Sequence, residues 1–257
     1  MTIVEPRTKT AGWLLLTTPA FILLAHYVAV LPHEFGHSFM AWITGIKSDP
    51  LDIEWGDGSV GDILLLRGID ENVAYKAALA NGHNWAIAAT VLAGPGMNAL
   101  MYLVIRFAVP LWRTSSRVVV AYFAFWFLFM NIANLYDYVP IRVWAENGDV
   151  RQWIRAMHTS PWWIYAIVGT LVLCVIVDFY RTVLPQSLDA SGIDAPVGRG
   201  IVLATATALL FAYFAIPGLA QSDNVSLFIG RTSLLLVPVV IVSNWRRIVN
   251  SEALSHP

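Results

Sequence analysis

Cysteine is almost missing from this sequence. Cys174 is the only one among 257 residues, so no disulfide can close within the chain and no thiolate cluster can bind a metal. It falls inside an apolar run and reads as an inert core residue. Charge is scarce as well: 13% of residues are charged against 57% apolar, and 16 Lys and Arg face 17 Asp and Glu for a net charge of −1. No basic patch stands out, which excludes the usual electrostatic footprint of a nucleic-acid partner. Internal repeats and low-complexity tracts are missing too, and nothing suggests an appended soluble domain. No small-x-small cleavage pattern follows the first apolar run, so that run is expected to stay in place as a helix rather than be removed as a signal peptide.

What is present is apolar length. The mean hydropathy is +0.62, and six long apolar runs lie near residues 12–45, 84–112, 117–141, 161–184, 200–220 and 225–245. A helical crossing of the bilayer needs about 20 such residues, so the fold class expected is an all-α polytopic membrane protein of about six transmembrane helices set in a lipid bilayer. The first run would reach about 50 Å as one helix at 1.5 Å per residue. It must tilt, kink at Pro19 or Pro32, or project from the membrane. Between the first and second spans runs the one long polar connection, residues 46–82. There LDIEW and VGDILLLR flank GDGS, a pattern that predicts a small β-hairpin, and ENVAYKAALA predicts a helical turn after it. An exposed strand edge in that hairpin could hold an extended polypeptide through main-chain hydrogen bonds.

One stretch of the first span, LPHEFGHSFMAW over residues 31–42, is out of character with a lipid-facing helix. Each ionisable group at bilayer depth costs about 2.5–3.5 kcal/mol on insertion scales, and this stretch holds three. His33 and His37 are four residues apart, so on a helix they share one face, about 6 Å apart along the axis. Two imidazoles placed in this way can share one zinc ion. Glu34 cannot join them as an equivalent ligand, but it can reach a water in an open zinc position and take its proton. The bland alternative, histidines hydrogen-bonded between helices, leaves the glutamate without a purpose.

Two further stretches follow in order: AGPGMN at 93–98, which is expected to interrupt the second span, and NIANLYDYVPIRVWAENGD at 131–149 closing the third. Together with HEFGH these resemble the signatures of the site-2 protease family of intramembrane zinc metalloproteases, which carry H-E-x-x-H, G-P-x-x-N and N-x-x-P…D-G elements in three successive core helices. The resemblance covers residues 12 to about 155. It implies a three-helix protease core over 1–155 including the hairpin loop 46–83, with three additional transmembrane helices over 156–257. It also implies a multi-pass protein of a prokaryotic cell membrane that binds one zinc ion per chain and cleaves membrane-associated segments of other membrane proteins. Glu34 would be the catalytic base. The third ligand, after His33 and His37, would be the aspartate of the D-G pair; here the order is Gly148-Asp149 and the interval is longer, so Asp149 is the choice and Asp137 and Glu146 its rivals. Asn98 and Asn134 would steady the site or the substrate. The other reading is a non-catalytic membrane protein, either a degenerate protease homologue or a metal-binding transporter component, in which Glu34 would have no role.

Other polar residues carry less. His26 shares the face of His33 but lies about 10.5 Å along the axis, too far to bind the same ion. His83, His158 and His256 read as solvated loop or tail residues. Asp178 and Arg231 lie in later spans and could pair across helices or reach an interface. Nothing in the sequence speaks to oligomeric state.

Overall fold

The computed structural model of the protein describes residues 5–112 and 118–250; His256 lies outside them. The long first run divides into two helices, α1 (Glu5–Leu16) and α2 (Thr18–Ile43). The break falls at Thr17, whose backbone leaves the helical region at φ −89° and ψ 4°, with proline in the first turn of α2. Proline is at home there because its missing N–H would have had no partner in any case. Pro32 lies within α2 without ending it.

Among the described residues, five helical spans are long and apolar enough to cross a membrane: 84–108, 118–141, 161–190, 196–219 and 224–248. They comprise α5 (Asn84–Trp112), α6 (Val118–Tyr136), which ends in a kink where Val139 is extended at φ −142° and ψ 115°, and α8 (Pro161–Asp178) continued by a π turn (Phe179–Val183) and α9 (Leu184–Ala190). After these come α10 (Pro196–Phe211) with α11 (Ile216–Leu219), and α12 (Asn224–Ile248). The sixth expected crossing, α2, is 26 residues long but falls outside that group, since His33, Glu34 and His37 dilute its apolarity.

In the polar connection, β1 (Glu54–Trp55) pairs antiparallel with β2 (Ile69–Asp70), Glu54 opposite Asp70 and Trp55 opposite Ile69. The small hairpin is present, but its second strand differs from expectation. The run VGDILL forms a helix, α3 (Val60–Leu65), because Ser59 caps it by accepting a hydrogen bond from the Asp62 backbone N–H at 3.1 Å, an N-terminal signal that outweighs a short β-prone run. Within LDIEW, Ile53 is buried, whereas Leu51 and Trp55 are exposed. The helical turn after the hairpin is α4 (Tyr75–Ala80).

α6 is the centre of the bundle. It is apolar on all sides, as a helix enclosed by others should be, and its span is 72% buried, against 17% for the α8 span and 22% for α12. Tyr122, Phe125, Trp126, Phe129 and Ile132 of α6 lie in one core with Phe179, Leu184, Leu203 and Leu210 from the later spans. Outer helices present Leu171, Phe228, Leu235 and Val242 outward. Cys174 also lies on an outer face, exposed instead of in the core, because α8 has so little of its surface covered. Asp178 pairs with Arg106 of α5, at 2.7 and 3.0 Å, and not with Arg231, which is exposed.

Phe179 joins α6 to the π turn that follows α8, stacking on Phe125 at 5.6 Å and lying 6.0 Å from Phe129. In a bilayer the alternative to this packing is lipid, not water, so Phe179→Ala is expected at the low end of large-to-small costs, about 3 kcal/mol. Reversible unfolding in mixed micelles measures it, with metal content unchanged.

Candidate metal centre

The two histidines of α2 and one aspartate from α7 (Asp149–Met157) converge. Nε2 of His33 and Nε2 of His37 stand 3.0 Å apart, and Oδ2 of Asp149 is 3.2 Å from Nε2 of His37. The three ligand atoms all lie within 4.8 Å of one another and could hold a metal ion. Both imidazoles are buried, at 3% and 1% exposure.

Hydrogen bonds on the far side of each ring determine its tautomer. Nδ1 of His37 faces the backbone carbonyl oxygen of Thr90 at 2.7 Å, and a carbonyl can only accept, so Nδ1 carries the hydrogen. For His33 the logic runs through Asn98. Its amide nitrogen donates to the carbonyl of Ala29 at 3.1 Å and to Oδ1 of Asn131 at 2.9 Å. Its Oδ1 therefore faces Nδ1 of His33 at 2.5 Å and accepts from it. In the neutral rings both Nε2 atoms then present lone pairs, and these point toward each other and toward a carboxylate. Three electron-rich atoms this close, away from bulk water, repel unless a cation lies among them. Outer partners that fix a histidine's tautomer in this way are the usual support of a metal ligand.

The chain positions these groups by close approach. α5 runs unbroken through Ala93-Gly94-Pro95-Gly96, not interrupted there as expected. The reason for glycine is steric: a Cβ on Gly94 would stand 2.1 Å from Nε2 of His37, and one on Gly36 would stand 3.1 Å from the Ala93 carbonyl oxygen. Proline is tolerated within membrane helices because neighbouring groups re-satisfy the freed carbonyl. Asp149 is placed by Gly148, whose φ of +98° a side chain would strain. This carboxylate begins α7, where the helix dipole favours negative charge.

The remaining sequence candidates separate. Asp137 is held by Arg142, Oδ2 to Nη2 at 2.5 Å, and is not among the three clustered ligands. Glu146 is exposed and meets Ser222 at 3.3 Å, away from the centre. Glu34, half-buried, and Asn134 line a cavity of about 430 Å³ together with His33, His37 and Asp149. Asn134 is thus a wall of the cavity, and Asn131 is the asparagine that anchors Asn98. His26 donates from Nε2 to the Leu65 carbonyl at 2.9 Å, tying α3 over the cavity. His83 and His158 are exposed.

Four residues of the centre escaped sequence reasoning: Glu71, Thr90, Tyr138 and Arg142. Glu71 is buried at 6% exposure and accepts from the Tyr75 hydroxyl at 2.5 Å; burial pushes its carboxyl above the ordinary glutamate range. Nothing in its local sequence marks it. Tyr138 and Arg142 follow the Asn134 element closely, and a polar aromatic and a cation at the end of a span were the only signal. The polar cavity meets an apolar groove of about 410 Å³ lined by Leu92, Trp153, Trp163 and Ile167, and Tyr138 and Asp149 face both. Comparison of the chain with protein-family models, curated proteins and solved structures gives no match.

Two substitutions test the construction of the centre. Gly94→Ala should displace His37, and Asn98→Ala should free the His33 ring to rotate and change tautomer. Each is expected to weaken divalent-metal affinity by about 10–100-fold, read by competition against a chromophoric chelator.

Proposed function

We propose that the protein is an intramembrane zinc endopeptidase of the site-2 protease type, hydrolysing peptide bonds in or near transmembrane segments of other membrane proteins. The observation that carries the reading is the convergence of three lone-pair donors, two of them imidazoles held as Nδ1–H tautomers, beside a glutamate that is not one of them.

The donor set fits zinc. Tetrahedral zinc with nitrogen and oxygen ligands at about 2.0–2.2 Å has ligand-to-ligand edges of about 3.3 Å, close to the 3.0 and 3.2 Å seen between His33 and His37 and between His37 and Asp149. Two histidines and one carboxylate also leave a fourth position open, the arrangement of catalytic and not structural sites. Zinc bound there would supply Lewis acidity, polarising a carbonyl and lowering the pKa of a water molecule toward 7.

The chain's own residues do the rest. Glu34 lines the cavity next to His33 and takes the proton of the attacking water, then returns it to the amine nitrogen as the C–N bond breaks. The polar cavity admits water to a centre otherwise enclosed by apolar helices. The apolar groove meets it at Tyr138 and Asp149 and suits the side chains of a membrane segment, which must unwind locally because a helical carbonyl is already hydrogen-bonded. The hairpin strands, two residues each, offer a short edge beside the cavity to an extended chain.

Purified protein is expected to hold one zinc per chain by elemental analysis, and His33→Ala with His37→Ala to hold none. Glu34→Gln should keep the zinc and lose cleavage of an apolar peptide by at least about 100-fold, since the amide is near-isosteric but cannot accept a proton. Zinc retained in the double histidine variant, or cleavage undiminished in Glu34→Gln, contradicts the reading.

The third ligand is tested separately. Asp149→Asn should weaken zinc binding by more than Asp137→Asn does, because Asp137 is already neutralised by Arg142. Isothermal titration of the two variants gives the order, and the reverse order would move the ligand to Asp137.

A further inference from the structure

The hydroxyl of Tyr138 stands 2.9 Å from Nε2 of His33, at the point where the metal ligands converge, yet it has no part in the ligand set. Because Asn98 keeps His33 as the Nδ1–H tautomer, Nε2 has only a lone pair to offer, and the phenol must be the donor in that contact. An ion that takes the same lone pair leaves the phenol O–H without its acceptor. The ring is not free to swing away in search of another. It lies nearly parallel to the His33 imidazole, with centroids 5.2 Å apart and planes at 21°, and the guanidinium carbon of Arg142 sits 4.5 Å over it. Arg142 is itself anchored to Asp137. Tyr138 is also on the rim where the apolar groove opens into the polar cavity, the place where a substrate backbone entering from the groove first meets the centre.

We propose that Tyr138 is a catalytic residue of the hydrolysis proposed above, on which this inference rests: it donates its hydroxyl hydrogen to the scissile carbonyl oxygen as negative charge gathers there. As water adds to the carbonyl carbon its proton passes to Glu34, and the C=O π pair moves onto the oxygen, where the Tyr138 hydrogen bond meets it. The pair then returns to re-form the carbonyl, the C–N bond breaks, and the amine nitrogen takes the proton from Glu34. Tyr138 keeps its own proton throughout. A donor held in place before charge develops loses nothing to reorganisation, which is why such groups act on the transition state more than on the bound substrate.

The test is Tyr138→Phe, which keeps the ring, its stacking and the cation over it, and removes only the hydroxyl. The substrate is a peptide of leucine and alanine flanked by lysines, with the cleaved bond located by mass spectrometry. The analogue is the same peptide with a phosphinic group in place of that amide. In the variant, kcat is expected to fall about 100-fold with KM within about twofold, and affinity for the phosphinic peptide to fall in the same proportion. Zinc content, thermal midpoint and the visible spectrum of the cobalt-substituted protein should be unchanged. In a Glu34→Gln background, affinity for the uncleaved peptide should not respond to Tyr138→Phe. Undiminished kcat in an active, zinc-loaded variant overturns the assignment alone. So does a changed cobalt spectrum or lost zinc, which would make Tyr138 a ligand or a support for one. A wild-type protein that holds no zinc or cleaves nothing overturns the proposed function and this inference with it.

Discussion

Three lone pairs aimed at one point are the constraint that orders the rest of this molecule. Nε2 of His33, Nε2 of His37 and a carboxylate oxygen of Asp149 would drive one another apart in an apolar bundle, and the surrounding network leaves them no alternative. Thr90 and Asn98 hold the opposite face of each imidazole, so neither ring can turn its hydrogen inward to relieve the crowding. Asn98 is fixed in turn by Ala29 and Asn131, and Asn131 by the Phe127 carbonyl. This chain crosses α2, α5 and α6, so the three helices must keep one mutual position for the tautomers to be defined.

Close packing makes that position possible. Glycine at Gly36 and Gly94 lets α2 and α5 approach until backbone and ligand nearly touch, the usual way helices associate where lipid offers no hydrophobic drive. The enclosed, aromatic α6 then serves as the wall against which both lean, and the later spans close around its other side. Phe214 and Pro217, from the later half of the chain, also line the cavity, so the centre draws on more than the first three long helices.

A polar cavity and an apolar groove meeting at Tyr138 and Asp149 give the centre two approaches of opposite character. The hydrolysis proposed above would need different routes for water and polypeptide, because an open aqueous channel would flood the bundle and a wholly dry one would exclude the second reactant. The kink past the end of α6 supports this arrangement. Val139 leaves the helical region at φ −142° and ψ 115°, with Pro140 next, so the regular helix ends where Asp137 and Tyr138 line the cavity.

Much of this was legible in the amino-acid order, because the signals were local. Apolar runs of bilayer length mark the spans, since lipid demands that backbone polar groups be satisfied within a helix. The i, i+4 spacing of His33 and His37 places them on one face by helix geometry alone, and a glycine before Asp149 marks a turn that the +98° φ of Gly148 bears out. What tertiary structure decided were the partners across long separations. Asp149 rather than Asp137 or Glu146 joins the histidines, because Arg142 claims Asp137 and a bend at Gly148 turns α7 inward. Asn131 rather than Asn134 holds Asn98, a matter of which face of α6 meets α5. VGDILL is helix and not strand because the Ser59 cap outweighs its β propensity. Glu71, Thr90 and Tyr138 carry no spacing signal, since a carboxylate in a loop, a backbone carbonyl and a phenol acquire their roles only from what the fold brings within 3 Å of them.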